Sequence, residues 1–246
     1  MADITIKSLK FSRGDFRLNV PALEIKHGEK VALMGENGCG KSTLINLATS
    51  LIDVPKSSVY YNDKAIEKIS HSKRARLFSV LAQFSDISFP FSVMEVALLG
   101  RYVHLTTNEF QQEDRDKTLE LLKLLDIEQY KEKSYSDLSG GEKRRVMIAR
   151  VLNQEAPIIF MDEPNSSLDI RHTLEIFEHM SQQPQTVITS VHDINLAYQY
   201  FDRFLFFKQG NLIYDVPRSE VTPQLLSEVY DVSVSTDTTS FSFCPN

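Results

Sequence analysis

One run constrains this chain more than any other: Gly35-Glu36-Asn37-Gly38-Cys39-Gly40-Lys41-Ser42-Thr43, which fits the pattern G-x-x-x-x-G-K-[ST]. Before it stands Val31-Ala32-Leu33-Met34, an apolar run that reads as a strand buried on both faces. After it, residues 42–48 read as a helix. A strand, a glycine loop and a helix in that order turn backbone amides inward and add the positive potential of a helix N-terminus, which together cradle phosphate oxygens. Lys41 brings a full charge to terminal phosphates, and the Ser42 hydroxyl is placed to ligate Mg²⁺. Cys39 reads as a small filler of the loop with no chemical role.

A second apolar strand, Ile158-Ile159-Phe160-Met161, ends in Asp162-Glu163. In a chain with a phosphate loop, such a strand end is where Mg²⁺ is held. Asp162 is assigned to the metal through water, and Glu163 is the candidate general base for an attacking water. Further strands are read at residues 186–191 and in a hairpin, Phe204 to Phe207 and Leu212 to Tyr214, around Gly210-Asn211. The alternating apolar positions Ile4, Ile6, Leu18, Val20, Leu23 and Ile25 predict short antiparallel strands. Between them the spacing turns helical: Val93, Val96, Ala97, then Leu119, Leu122, Leu125, then Val146, Ala149, Leu152. The fold class is α/β, one domain over residues 1–246, with a core of about 1–83 and 153–246 and an inserted helical subdomain of about 84–152.

Leu138-Ser139-Gly140-Gly141-Glu142 follows the helical insertion. Ser139 and Glu142 form an S-x-x-E capping box. The glycine pair bares the helix start, so that a phosphate could approach a second anion site. A chain with one complete phosphate loop and a separate phosphate clamp suggests two chains sharing two nucleotides.

These motifs, in this order, resemble the ATP-binding cassette (ABC) family over nearly the whole chain. Gly35 to Thr43 matches its phosphate loop, Leu138 to Glu142 its LSGGE signature, and Ile158 to Glu163 its magnesium-site strand. Ser167-Leu168-Asp169 lies at its D-loop, His192 at its switch histidine and Gln83 at its Q-loop glutamine. The resemblance implies a P-loop NTPase (RecA-like) core with an antiparallel β-subdomain and an ATPase that needs ATP and Mg²⁺. It implies a head-to-tail dimer in which the Lys41 loop of one copy and Ser139, Gly140 and Gly141 of the other enclose each ATP. Gln83 would touch Mg²⁺ beside Ser42 and Asp162, His192 would contact the γ-phosphate and the water, and Asp169 would work across the interface or simply cap a helix. Arg13 stands where the family stacks adenine on a tyrosine; its guanidinium could stack there or face solvent, and Phe11 or Phe16 could substitute.

Val93 to His104 and Leu168-Asp169-Ile170-Arg171-His172 are similar to segments of ATPases that serve iron-siderophore, haem and cobalamin importers. The resemblance implies a permease partner, docked near Phe84 to Val93, an indirect substrate-binding protein, and a place at the cytoplasmic face of the inner or plasma membrane. An importer for another substrate, or an ABC clamp outside transport, is the alternative. The net charge of −6 argues against a bulk grip on nucleic acid. Two cysteines form no disulfide framework, and no apolar run approaches the roughly 18 residues of a membrane span. The short basic clusters at Lys73-Arg74-Ala75-Arg76 and Lys143-Arg144-Arg145 are expected to be solvated helix faces.

Overall fold

The strand Lys30–Met34 is buried at every position. It runs parallel to Thr186–Ser190 on one side and to Arg203–Lys208 on the other. A strand enclosed in this way has no solvent face, which is why its sequence carries no alternation. Each such apolar side chain removed from water contributes roughly 1.5–3 kcal/mol.

This description comes from a computed structural model, which covers residues 3–83, 90–106, 109–237 and 240–244. The chain divides into two units, residues 1–69 with 184–246, and residues 70–183.

The first unit holds the antiparallel β-structure and the phosphate loop. Leu23–Ile25, Ile4–Ile6, Val59–Tyr61 and Lys64–Ala65 form one small sheet in that order. The expected alternation is present: Leu23 and Ile25 are buried and Glu24 is exposed. The larger sheet of this unit runs Leu9–Arg13, Phe16–Val20, Asn211–Pro217, Arg203–Lys208, Lys30–Met34, Thr186–Ser190. The hairpin expected around Gly210 is present, with Arg203–Lys208 antiparallel to Asn211–Pro217. The tail forms another hairpin from Ser233–Thr236 and Phe241–Cys244.

The second unit pairs Phe78–Leu81 in parallel with Ile158–Asp162 and is otherwise largely helical. Ser92 and Glu95 cap Val93–Leu98 reciprocally, as Gln111 and Asp114 do for Gln112–Leu124. The segment around 84–152 thus lies in this unit together with both strands, and Met147 and Met180 are core residues. Arg101 is buried and donates from Nε to Asp114 (2.9 Å), with Glu155 2.6 Å from its Nη1. Residues 84–89 of the anticipated docking segment lie outside the described residues. Of its remainder, Pro90 is exposed, Phe91 is half-buried and Val93 is buried. No helix among the described residues is long and apolar enough to cross a membrane.

Candidate active site

The phosphate loop leaves Lys30–Met34 and enters the helix Lys41–Ala48. Gly35 has φ 131°, and a Cβ there would collide with the Phe207 carbonyl, so no other residue fits. The helix is entered at Gly40 with no side-chain cap, which leaves its first-turn amides for another acceptor. Lys41 is 5% exposed, and its Nζ donates to the carbonyls of Gly35 (2.7 Å) and Glu36 (2.8 Å). Cys39 is buried beside it, with Sγ 3.7 Å from that ammonium. Burial pushes the thiol up, and the neighbouring Lys41 only partly opposes it. Cys39 is therefore a protonated filler at neutral pH, as its sequence context suggested.

Tyr230 ends the helix Pro223–Tyr230, and its hydroxyl meets the backbone of Gly35. Burial drives this phenol far up, so it stays neutral. Its ring stands edge-on to Phe243 of the tail hairpin (5.9 Å between centroids). His192 follows the strand Thr186–Ser190 and is exposed. Asp193 caps the next helix, accepting from the amides of Asn195 (2.9 Å) and Leu196 (3.1 Å). His192, Asp193, Asn195, Tyr230 and Phe243 line a cavity of about 470 Å³. Arg13 is exposed at the end of its strand, and the tip of Phe16 lies beside Gly40.

The other predicted residues belong to the second unit. Asp162 is buried at the end of Ile158–Asp162. Glu163 has a left-handed backbone, φ 48°, a strained state for a carboxylate residue in a turn after a strand. Gln83 is exposed and reaches Glu163, Nε2 to Oε2 at 3.4 Å. Ser139 accepts from the amide of Glu142 and the box closes reciprocally, as the S-x-x-E pattern requires. That double contact with Ser139 holds the Glu142 carboxyl below its ordinary range.

The glycine pair has an internal reason as well. A Cβ on Gly141 would come 2.7 Å from the Ser167 carbonyl, so the 165–169 segment lies against the start of Gly140–Asn153. Asp169 caps the helix Ile170–Gln182, accepting from the His172 amide (2.9 Å), which lowers its carboxyl pKa. The helix-cap alternative for Asp169 is thus realised through Oδ1, and its Oδ2 meets the His172 ring at 2.8 Å.

The expectation for Lys143-Arg144-Arg145 is corrected: Arg144 and Arg145 are 8% and 9% exposed. Arg144 donates to the carbonyls of Asp162 (2.5 Å), Glu163 (2.7 Å), Pro164 (3.2 Å) and Ala82 (3.1 Å). Burial presses its pKa down, while the charges of Asp162 and Glu163 resist. A guanidinium stays charged regardless. One arginine thus fixes the backbone of both carboxylates and of the residue before Gln83. No local pattern marked this: a basic pair on a helix reads the same whether its acceptors are water or distant carbonyls.

These donors suit a magnesium nucleotide. Ser42, next to Lys41 in the first unit, and Asp162 and Gln83 in the second each carry a hard oxygen donor of the kind Mg²⁺ takes. Among the described residues no group of three or more His, Cys, Asp or Glu could hold a metal.

The family model described as ABC transporter matches residues 18–166. A hemin import ATP-binding protein of Gloeobacter violaceus is 38% identical over 86% of this chain and 80% of its own length. A petrobactin import ATP-binding protein of Bacillus anthracis is 32% identical over 89% and 83%. Among solved structures, an ABC transporter described as metal-chelate type, in an inward-facing conformation, aligns with TM-score 0.80 at 22% identity over 100% of this chain and 98% of that one. A dimeric ATP-binding cassette in a post-hydrolysis state with ADP and Pi aligns with TM-score 0.76 at 25% identity over 89% and 99%. The chain belongs to the ABC transporter family, within which it is an ATP-binding, ATP-hydrolysing cassette with the P-loop NTPase fold.

Proposed function

We propose that this cassette powers an importer for an iron-siderophore, haem or cobalamin, and that two copies work head to tail. The reading rests on one observation above all: the chain carries a complete phosphate loop and a separate, capped helix start with a bare glycine pair. The relatives named for hemin and petrobactin import support the substrate class. The dimeric relative supports the pairing. On this reading the cassette is peripheral to the membrane and docks on a permease, which in turn meets a substrate-binding protein.

The roles follow from the side chains. Gly35, Glu36, Asn37, Gly38, Cys39, Gly40, Lys41, Ser42 and Thr43 form the phosphate cradle. Lys41 exchanges its two loop carbonyls for phosphate oxygens. Ser42, Asp162 and Gln83 would hold Mg²⁺, which when bound neutralises phosphate charge and orients the terminal group. Glu163 accepts the proton of the attacking water, and His192 orients that water against the γ-phosphate. Ser139, Gly140 and Gly141 clamp the nucleotide of the other copy, with Asp169 beside them. Arg13 or Phe16 stacks on the base. Residues 84–152 form the helical subdomain, and 1–83 with 153–246 the core.

Glu163→Gln tests the reading. It should leave ATP binding intact, lower phosphate release about 100-fold or more, and trap a dimer with MgATP in size-exclusion chromatography. A variant that stays monomeric refutes the pairing. A membrane fraction that retains none of this chain, from cells that also express an iron-siderophore, haem or cobalamin permease, would refute the transport role.

A further inference from the structure

A short relay of side chains joins the Asp169 loop to the helix that begins at Ser139. Asp169 uses Oδ1 to cap its own helix, and its Oδ2 lies 2.8 Å from His172 Nδ1. On the far side of the ring, His172 Nε2 lies 2.7 Å from Arg145 Nη1. A guanidinium can only donate. Nε2 must therefore be the bare acceptor, and the ring proton sits on Nδ1, where it donates to the carboxylate. The same Nη1 also reaches the carbonyls of Leu125 and Asp126, both at 3.0 Å, so its two hydrogens are shared among three acceptors, of which Nε2 is the nearest. The other charged groups near the ring are the Asp126 carboxylate, 3.6 Å from Nε2, and Glu175, which lines the same small recess.

We propose that His172 is a positioning residue for ATP hydrolysis: it accepts from Arg145 on the signature helix and donates to Asp169, so that the 165–169 loop and the glycine pair keep one fixed relation. The cap needs only one oxygen of Asp169, so the ring's contact adds orientation rather than helix stability. The Ser167 carbonyl against Gly141 makes the same loop sensitive to any rotation. This inference rests on the reading that Asp169 and residues 139–141 serve the hydrolytic site of paired chains.

The test uses the full chain with Glu163→Gln as a control; if that control hydrolyses normally, the functional reading fails rather than this inference. In His172→Asn the amide can donate to Asp169 in place of Nδ1, yet it is too short to reach Arg145. Its kcat should fall about tenfold with KM for ATP nearly unchanged. Asp169→Asn combined with His172→Asn should lose no more than Asp169→Asn alone, because each breaks one link of the same relay. Independently of any variant, ¹⁵N-histidine spectra of the native protein should show His172 protonated on Nδ1 and bare on Nε2. Wild-type kcat in His172→Asn, losses that multiply in the double variant, or a proton on Nε2 would each overturn the proposal.

Discussion

Arg144 carries more of the site than any residue that sequence pattern picked out. Its five donors fork onto carbonyls before Gln83 and along Asp162, Glu163 and Pro164. A lysine delivers the same charge from a single point and cannot span them. Arg144→Lys should therefore cost about 2–4 kcal/mol in denaturant unfolding, with charge-assisted bonds worth roughly 1.5–3 kcal/mol each and partial replacement by the ammonium. It should also lower kcat, since the Glu163 backbone loses its anchor, while nucleotide affinity at the Lys41 loop is unchanged. Equal losses in affinity and kcat would show that Arg144 merely holds the fold. At this scale the phosphate loop, Asp162 and Glu163 were legible because each lies in a contiguous run whose chemistry is self-explanatory. Arg144 was not, because its acceptors are backbone atoms, which have no sequence identity.

Among the elements, the helix Gln112–Leu124 is secured at its start by Asp114, which closes the Gln111 box and pairs with Arg101. Burial alone would raise the Asp114 carboxyl, but the Arg101 bond and the Gln111 amide outweigh it, and the net shift is downward. The folded value lies below the unfolded one, so this stabilisation is complete above the unfolded pKa of about 3.9 and is lost as pH falls through the folded value. Asp114→Asn should thus be less stable at neutral pH and should show a shallower loss of stability below about pH 4. Urea unfolding across that range measures it, and parallel curves for the two proteins would remove Asp114 from the acid response. The helix start at Ser139 was readable in sequence because a cap is built within four residues. The tail hairpin was not, since its strands are held by distant partners: Asn195 exchanges hydrogen bonds with the backbone of Phe241 (3.1 and 2.8 Å).

For the whole molecule, the proposed head-to-tail pair makes a prediction that no single-chain site can meet. Lys41→Ala and Ser139→Arg should each abolish hydrolysis alone. In a mixed pair the two defects fall on the same site, and the other site has an intact loop facing an intact clamp. Equal mixing should restore about a quarter of wild-type activity, from half the pairs with one working site each. No recovery on mixing, with mixed pairs verified by tagged pull-down, counts against shared sites.

What the chain's sequence determined by itself is everything whose physics is local: buried strands, a glycine loop ahead of a helix, a capping box, carboxylates at a strand end. These need only neighbours a few residues apart, so pattern and propensity suffice. The tertiary structure alone decided which charges are buried and what they hold. Arg144 meets Ala82 across 62 positions and Arg145 meets His172 across 27. A basic pair on a helix looks solvated until distant carbonyls and an imidazole close around it, because burying a cation is tolerable only once folding has assembled its acceptors.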